Sequence, residues 1–204
     1  MKPFASLCLL GMLIGACGEN DAQPDAGLGV DAAVDLEPAA AMSCAVLVES
    51  QPNAGHQHTA SDCDPVTYAS NPPSSGTHYP DWTRYKTYAA PVPWGFLVHD
   101  LEHGAVVIVY NCPEGCPDEV AQAQAFIDSL PPDPSCSGAP MRIVLAPDPT
   151  LDVRWAASAW TWTLRAPCFD ASAFASFVAA HYQGPDTEAA CPGDVDRSAT
   201  GWCP

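Results

Sequence analysis

Residues 98–110, Val98-His99-Asp100-Leu101-Glu102-His103-Gly104-Ala105-Val106-Val107-Ile108-Val109-Tyr110, set two histidines and a glutamate directly before the most strand-like run of the chain. One helical turn over 99–103 puts His99 and His103 on the same face at i and i+4, a spacing that suits two nitrogen ligands of one metal ion. Gly104 then closes the turn, because glycine enters the left-handed conformation without steric cost. The order His99-x-x-Glu102-His103 is also that of inverted zinc peptidases. The stretch therefore admits a ligand platform or a hydrolase.

Forward of it, 111–117 is a turn, and Asp118–Leu130 carries Val120, Ala123, Phe126, Ile127 and Leu130 on one helical face until Pro131-Pro132 stops it. Arg142–Ala146 reads as a buried strand, so 105–110, 118–130 and 141–146 predict a β-α-β unit with parallel strands. Trp155–Arg165 alternates, with Trp160, Trp162 and Leu164 on one side, and reads as a single antiparallel strand. Asp170 is a natural N-cap for a helix over 171–182. His181 falls at that helix's C-terminal end, where the dipole favours a charged ring. With a short strand in 44–50, the expected class is α+β: a small mixed sheet of about four to five strands, two main helices and disulfide support.

Backward of it, Pro91 and Pro93 break the chain before Trp94–Val98. Pro72-Pro73 and Ser75-Gly76 make Tyr68–Pro80 a stiff loop that presents His78 at a fixed place. His56 and His58 lie on a polar loop flanked by Pro52, Asn53 and Gly55, for which loop histidines in solvent are the plain reading.

The chain has 204 residues, 24 acids against seven Lys and Arg, and a net charge of -17. That balance excludes nucleic acid as a partner and disfavours anionic membrane surfaces. Residues 1–16 have Lys2, an apolar run and small residues, as in a signal peptide. They lead into Leu13-Ile14-Gly15-Ala16-Cys17, which resembles a bacterial lipobox. Cys17 is thus the expected lipidation site, and 18–43, with six acids and neither bases nor aromatics, the expected tether. Residues 44–204 remain for one globular domain. The expected setting is the bacterial cell envelope, at the outer membrane or cell surface, with a lipid-held monomer whose protein partner stays open.

Export also explains the cysteines. Cys44, Cys63, Cys112, Cys116, Cys136, Cys168, Cys191 and Cys203 are even in number and suit four disulfides in an oxidising compartment. Short separations favour Cys44–Cys63, Cys112 or Cys116 with Cys136, and Cys191–Cys203, the last pinning the tail.

The segments NPPSSGTHYP (71–80) and VHDLEHGAVVIVYN (98–111) together resemble a bacterial family known as domain of unknown function 3105. Its members show a Pro-Pro-x-Ser-Gly-x-His loop and a His-x-Leu-Glu-His-Gly segment before an apolar strand. Ala146-Pro147-Asp148, Ala159-Trp160 and Phe174–Tyr182 are looser counterparts of its later part, and His58 matches a histidine that precedes its Pro-Pro loop. The resemblance spans roughly 55–190 and implies a shared fold and a shared histidine cluster, with no activity attached. The many cysteines and the lack of a transmembrane anchor are departures from it.

Three chemistries compete. In the first, His58, His78, His99 and His103 converge on one transition metal, copper or zinc, with Glu102 as ligand or as the acceptor that orients a histidine N–H. Its plain counterpart is a hydrogen-bonded histidine network in a non-catalytic envelope domain. The second is a zinc-dependent hydrolase with Glu102 as base, which needs a long motif helix and a later acidic ligand such as Glu119. The third is a Cys112/Cys116 dithiol, whose spacing and prolines favour a structural disulfide. The metal reading without catalysis is the one the residues favour.

Overall fold

The computed structural model describes residues 44–137, 139–188, 191, 196 and 201–203. The expected signal peptide, Cys17 and the tether lie outside the described residues. Five strands and three helices follow in the order β1 (Leu47–Ser50), α1 (Trp94–Glu102), β2 (Val106–Tyr110), α2 (Pro117–Ser129), β3 (Ile143–Pro147), β4 (Trp155–Ala159), β5 (Trp162–Ala166) and α3 (Ala171–His181). The strands form one sheet in the order β1-β5-β4-β2-β3, parallel between β2 and β3 and antiparallel elsewhere. The β-α-β unit and the mixed α+β sheet are as the sequence implies. No helix among the described residues is long and apolar enough to cross a membrane.

Period two explains why the sheet is covered on both faces. Val107 and Val109 of β2, with Val144 and Ala146 of β3, pack on the side of α1 together with Tyr79, Tyr88, Phe96 and Leu101. Val106, Ile108, Ile143 and Leu145 point the other way, onto Phe126 of α2 and Phe174, Phe177 and Val178 of α3. A central strand buried on both sides is a continuous apolar run, as 105–110 is.

Three readings need correction. The turn at 99–103 is the end of a longer helix that begins at Trp94, with Pro93 as its N-cap residue. Every residue from Gly95 to Glu102 is buried, so this helix has no polar stripe to announce it. Trp155–Arg165 is two strands, joined through Trp160 and Thr161, the latter with φ +62°. Trp160 consequently packs on the α1 side while Leu164 packs on the α3 side. No glycine, asparagine or aspartate marks this turn, and those are the residues that signal one.

The disulfides are Cys44–Cys168, Cys63–Cys203, Cys112–Cys116 and Cys136–Cys191, so Cys44–Cys63, a pairing of Cys136 with Cys112 or Cys116, and Cys191–Cys203 are all replaced. Sheet register explains the first. Leu47 lies opposite Arg165 in an antiparallel pair, and three further residues outward bring Cys44 opposite Cys168. Cys191 and Cys203 pin the tail to the body rather than to each other. Cys112–Cys116 closes the turn before α2, as the structural reading of that pair requires.

Candidate metal centre

The site is assembled where α1 ends and the His78 loop crosses it. Gly95 decides how closely they approach: a Cβ there would sit 2.3 Å from the Tyr79 ring. Tyr79 N–H donates to the Gly95 carbonyl (3.1 Å), which fixes the loop on the first turn of α1. The Tyr79 carbonyl then reaches one turn further along and accepts the Nδ1–H of His99 at 2.7 Å. The loop is held from behind as well, since Ser158 Oγ donates to the Pro73 carbonyl and Thr161 N–H to that of Ser74 (2.8 Å). A stiff loop that presents His78 is what the proline pair predicts.

His58 arrives by pairing. His78 N–H donates to the Gln57 carbonyl (3.0 Å) and Thr59 N–H to the His78 carbonyl (2.7 Å), a short parallel bridge between His58 and His78. Gly76, at φ +119°, donates to the Gly55 carbonyl and continues the pairing. Hence the 55–59 loop is extended at His58. Ring centroids of His58, His78 and His99 stand 4.8–4.9 Å apart in a triangle.

One ligand atom each from His58, His78, His99 and Glu102 lies within 4.8 Å of the others, a group that could hold a metal ion. His103 adjoins it through His99: the two Nε2 atoms are 3.0 Å apart and the rings are stacked. His103 Nδ1 is buried without a hydrogen-bond partner, 3.6 Å from the Glu188 carboxylate. Trp82 sets its ring edge-on to both His99 and His103. His181 is elsewhere, stacked on Trp162 and against Phe177, and burial lowers its pKa instead of the helix dipole raising it.

Two parts of the site were not legible in the sequence. His56 Nδ1 is 3.3 Å from Glu102 Oε1, on the carboxylate's outer side. Beneath the helix end, the fully buried Arg142 donates through Nη1 to the His103 carbonyl (2.9 Å) and through Nη2 to Ser135 Oγ (2.7 Å), with Asp133 3.5 Å away. The same guanidinium would be 3.3 Å from a Cβ at Gly104, whose φ of +78° is the left-handed close expected there. A buried arginine at the head of a strand carries no motif; its place among only seven bases was the available signal.

The protonation pattern is set by carbonyls. His78 Nδ1 donates to the Gly76 carbonyl (2.8 Å), as His99 Nδ1 does to that of Tyr79. A neutral imidazole whose Nδ1 carries the proton presents a bare lone pair at Nε2. The Nε2 of His78 faces Glu102 Oε2 at 3.1 Å and that of His99 faces His103. Burial lowers the pKa of all three: His78, His103, and His99 to about 4, in each case chiefly because the charged ring loses its water.

A pH dependence follows for the chelator-treated protein. An unfolded histidine takes up a proton near pH 6.5 whereas folded His99 resists until about 4, so acid favours unfolding. The His99 contribution to stability therefore falls as pH drops through 6.5 and levels off below 4. At roughly 1.4 kcal/mol per pH unit, His99 alone accounts for about 2 kcal/mol by pH 5. Urea unfolding at pH 7 and pH 5 checks this: the loss should shrink by about that amount in His99→Gln, and an unchanged loss refutes it.

Among the described residues the inverted-hydrolase arrangement is not assembled. α1 stops at Glu102, and Glu119 is engaged by Arg154 (2.7 Å) and Trp155 Nε1 (2.6 Å).

In comparison with known proteins, the family model described as "Protein of unknown function (DUF3105)" matches residues 58–193, more than half of the chain and both histidine motifs. No curated protein and no solved structure matches.

Proposed function

We propose a function from the geometry, because the chain belongs to a family, DUF3105, whose description assigns none. The protein binds one divalent transition-metal ion, copper or zinc, through His58, His78, His99 and Glu102, with His103 beside them. The observation that carries this reading is the facing of His78 Nε2 and Glu102 Oε2 at 3.1 Å in a buried place. With Nδ1–H committed to the Gly76 carbonyl, this contact sets a lone pair against a carboxylate unless a cation stands between them. A proton could serve, but burial opposes charging His78. A metal ion satisfies both atoms together with His58 and His99, and the backbone carbonyls behind the rings are the outer partners that orient metal-bound histidines.

The donor set narrows the metal. All eight domain cysteines are paired in disulfides, so imidazole and carboxylate remain, a set suited to Cu(II) or Zn(II) rather than to a thiolate-bound soft ion. The disulfides also suit an exported protein, and we place the chain in the cell envelope, lipidated at Cys17 and held on the acidic tether 18–43 as a monomer.

Elemental analysis after reconstitution of the untagged protein at neutral pH tests the reading. About one equivalent of zinc or copper is expected. Less than about one-tenth of an equivalent would leave the cluster as a hydrogen-bonded structural network.

A further inference from the structure

Glu102 stands between two environments. Its Oε2 faces His78 (3.1 Å) and His58 (3.9 Å), while its Oε1 faces His56 (3.3 Å). Side-chain exposure rises along the same line, from 0% at His78 and 6% at Glu102 to 48% at His58 and 71% at His56. The Trp82 ring stands edge-on to His99 and His103. The inner imidazoles are fixed by their Nδ1–H bonds to carbonyls, so they cannot swing outward to meet an ion. His56 is differently placed: it sits on the exposed 52–57 loop, and its ring touches a buried carboxylate that also reaches the inner atoms.

From this gradient we propose that His56 is the capture ligand of the site: a hydrated metal ion binds first to His56 and Glu102 Oε1, and then passes inward. As Glu102 rotates its carboxylate, the ion exchanges His56 and its remaining water for Oε2 and the Nε2 atoms of His58, His78 and His99. Each exchange replaces one donor by another, so the ion is never stripped of its shell. The same steps in reverse release it to a competing ligand outside. The inference rests on the metal reading above and goes beyond it, because it assigns a role to a residue that is not in the resting ligand group.

A ligand used only on the way in and out lowers the barrier shared by both directions, so it changes both rates and leaves their ratio nearly fixed. The experiment uses the full chain, wild type and His56→Ala, with Zn(II) alone and Cu(II) alone. Stopped-flow uptake and chelator-driven removal are recorded beside the equilibrium affinity. The expected result is that uptake and removal both slow by about tenfold or more while the affinity moves by less than about threefold. A tenfold weaker affinity with unchanged uptake overturns the proposal, since His56 would then be a resident ligand. Unchanged rates and affinity overturn it as well, leaving an ordinary surface contact. If the wild-type chain takes up no metal, the metal reading itself falls and takes this one with it.

Discussion

His78→Ala should lower metal affinity by at least about 100-fold, more than any substitution outside the ligand group. First-sphere loss should exceed the 10–100-fold typical of removing an outer partner. Three consequences coincide at this position. The change deletes an Nε2 held in place by the Gly76 carbonyl, leaves Glu102 Oε2 with a more distant histidine, and opens a void in place of a side chain with no solvent exposure. His99→Ala should behave alike. His103→Ala should cost less, roughly tenfold, because His103 touches the group through His99 and orients that ring. Competition with a chelator of known affinity, on variants whose thermal unfolding stays cooperative, ranks the three. Equal affinities for wild type and His78→Ala would remove His78 from the ligand set.

The parts of this site that the sequence discloses are those encoded by local rules. His99 and His103 share a face because they are four apart. Gly104 is left-handed because a helix must end there, and His78 is presented rigidly because two prolines precede it. His58 was readable only through the resemblance to the family, since nothing in its own loop dictates the bridge to His78. His56 and Arg142 depend on long-range contacts, 46 residues away to Glu102 and 39 to His103, which periodicity does not register. The other three disulfides escape for a related reason: short separations favour loop closure in the unfolded chain, as in Cys112–Cys116, but the fold sets partners that are 55 to 140 residues apart. Helix α1 is underread because a helix buried from Gly95 to Glu102 has no amphipathic pattern, and because Pro91 and Pro93 break the chain directly before it.

Arg142→Ala should destabilise the fold by about 3–5 kcal/mol, the range for breaking a buried, hydrogen-bonded ion pair on one side. Arg142 ties three pieces of chain that are otherwise separate: the His103 carbonyl at the end of α1, Ser135 and Asp133 in the loop after α2, and its own strand, where its N–H donates to Tyr182 OH (3.0 Å). Its removal leaves a helix-end carbonyl without its donor and Asp133 buried without a cation. Tyr182 OH and Gln183 Nε2, both 2.7 Å from Asp133 Oδ2, and the N–H and hydroxyl of Ser135 on Oδ1 would then have to satisfy that charge without it. Arg142→Lys should recover only part of the loss, because an ammonium on a flexible stem cannot reproduce the planar fork that serves His103 and Ser135 together. Arg142→Met separates packing from charge, since it fills much of the volume and restores no hydrogen bond. Urea unfolding of the metal-free variants, read as a midpoint shift at constant slope, measures the series. A loss below about 1 kcal/mol in Arg142→Ala would show that the guanidinium is dispensable to the fold. In that case the position of His103 would have to be held by α1 and the Gly104 turn alone.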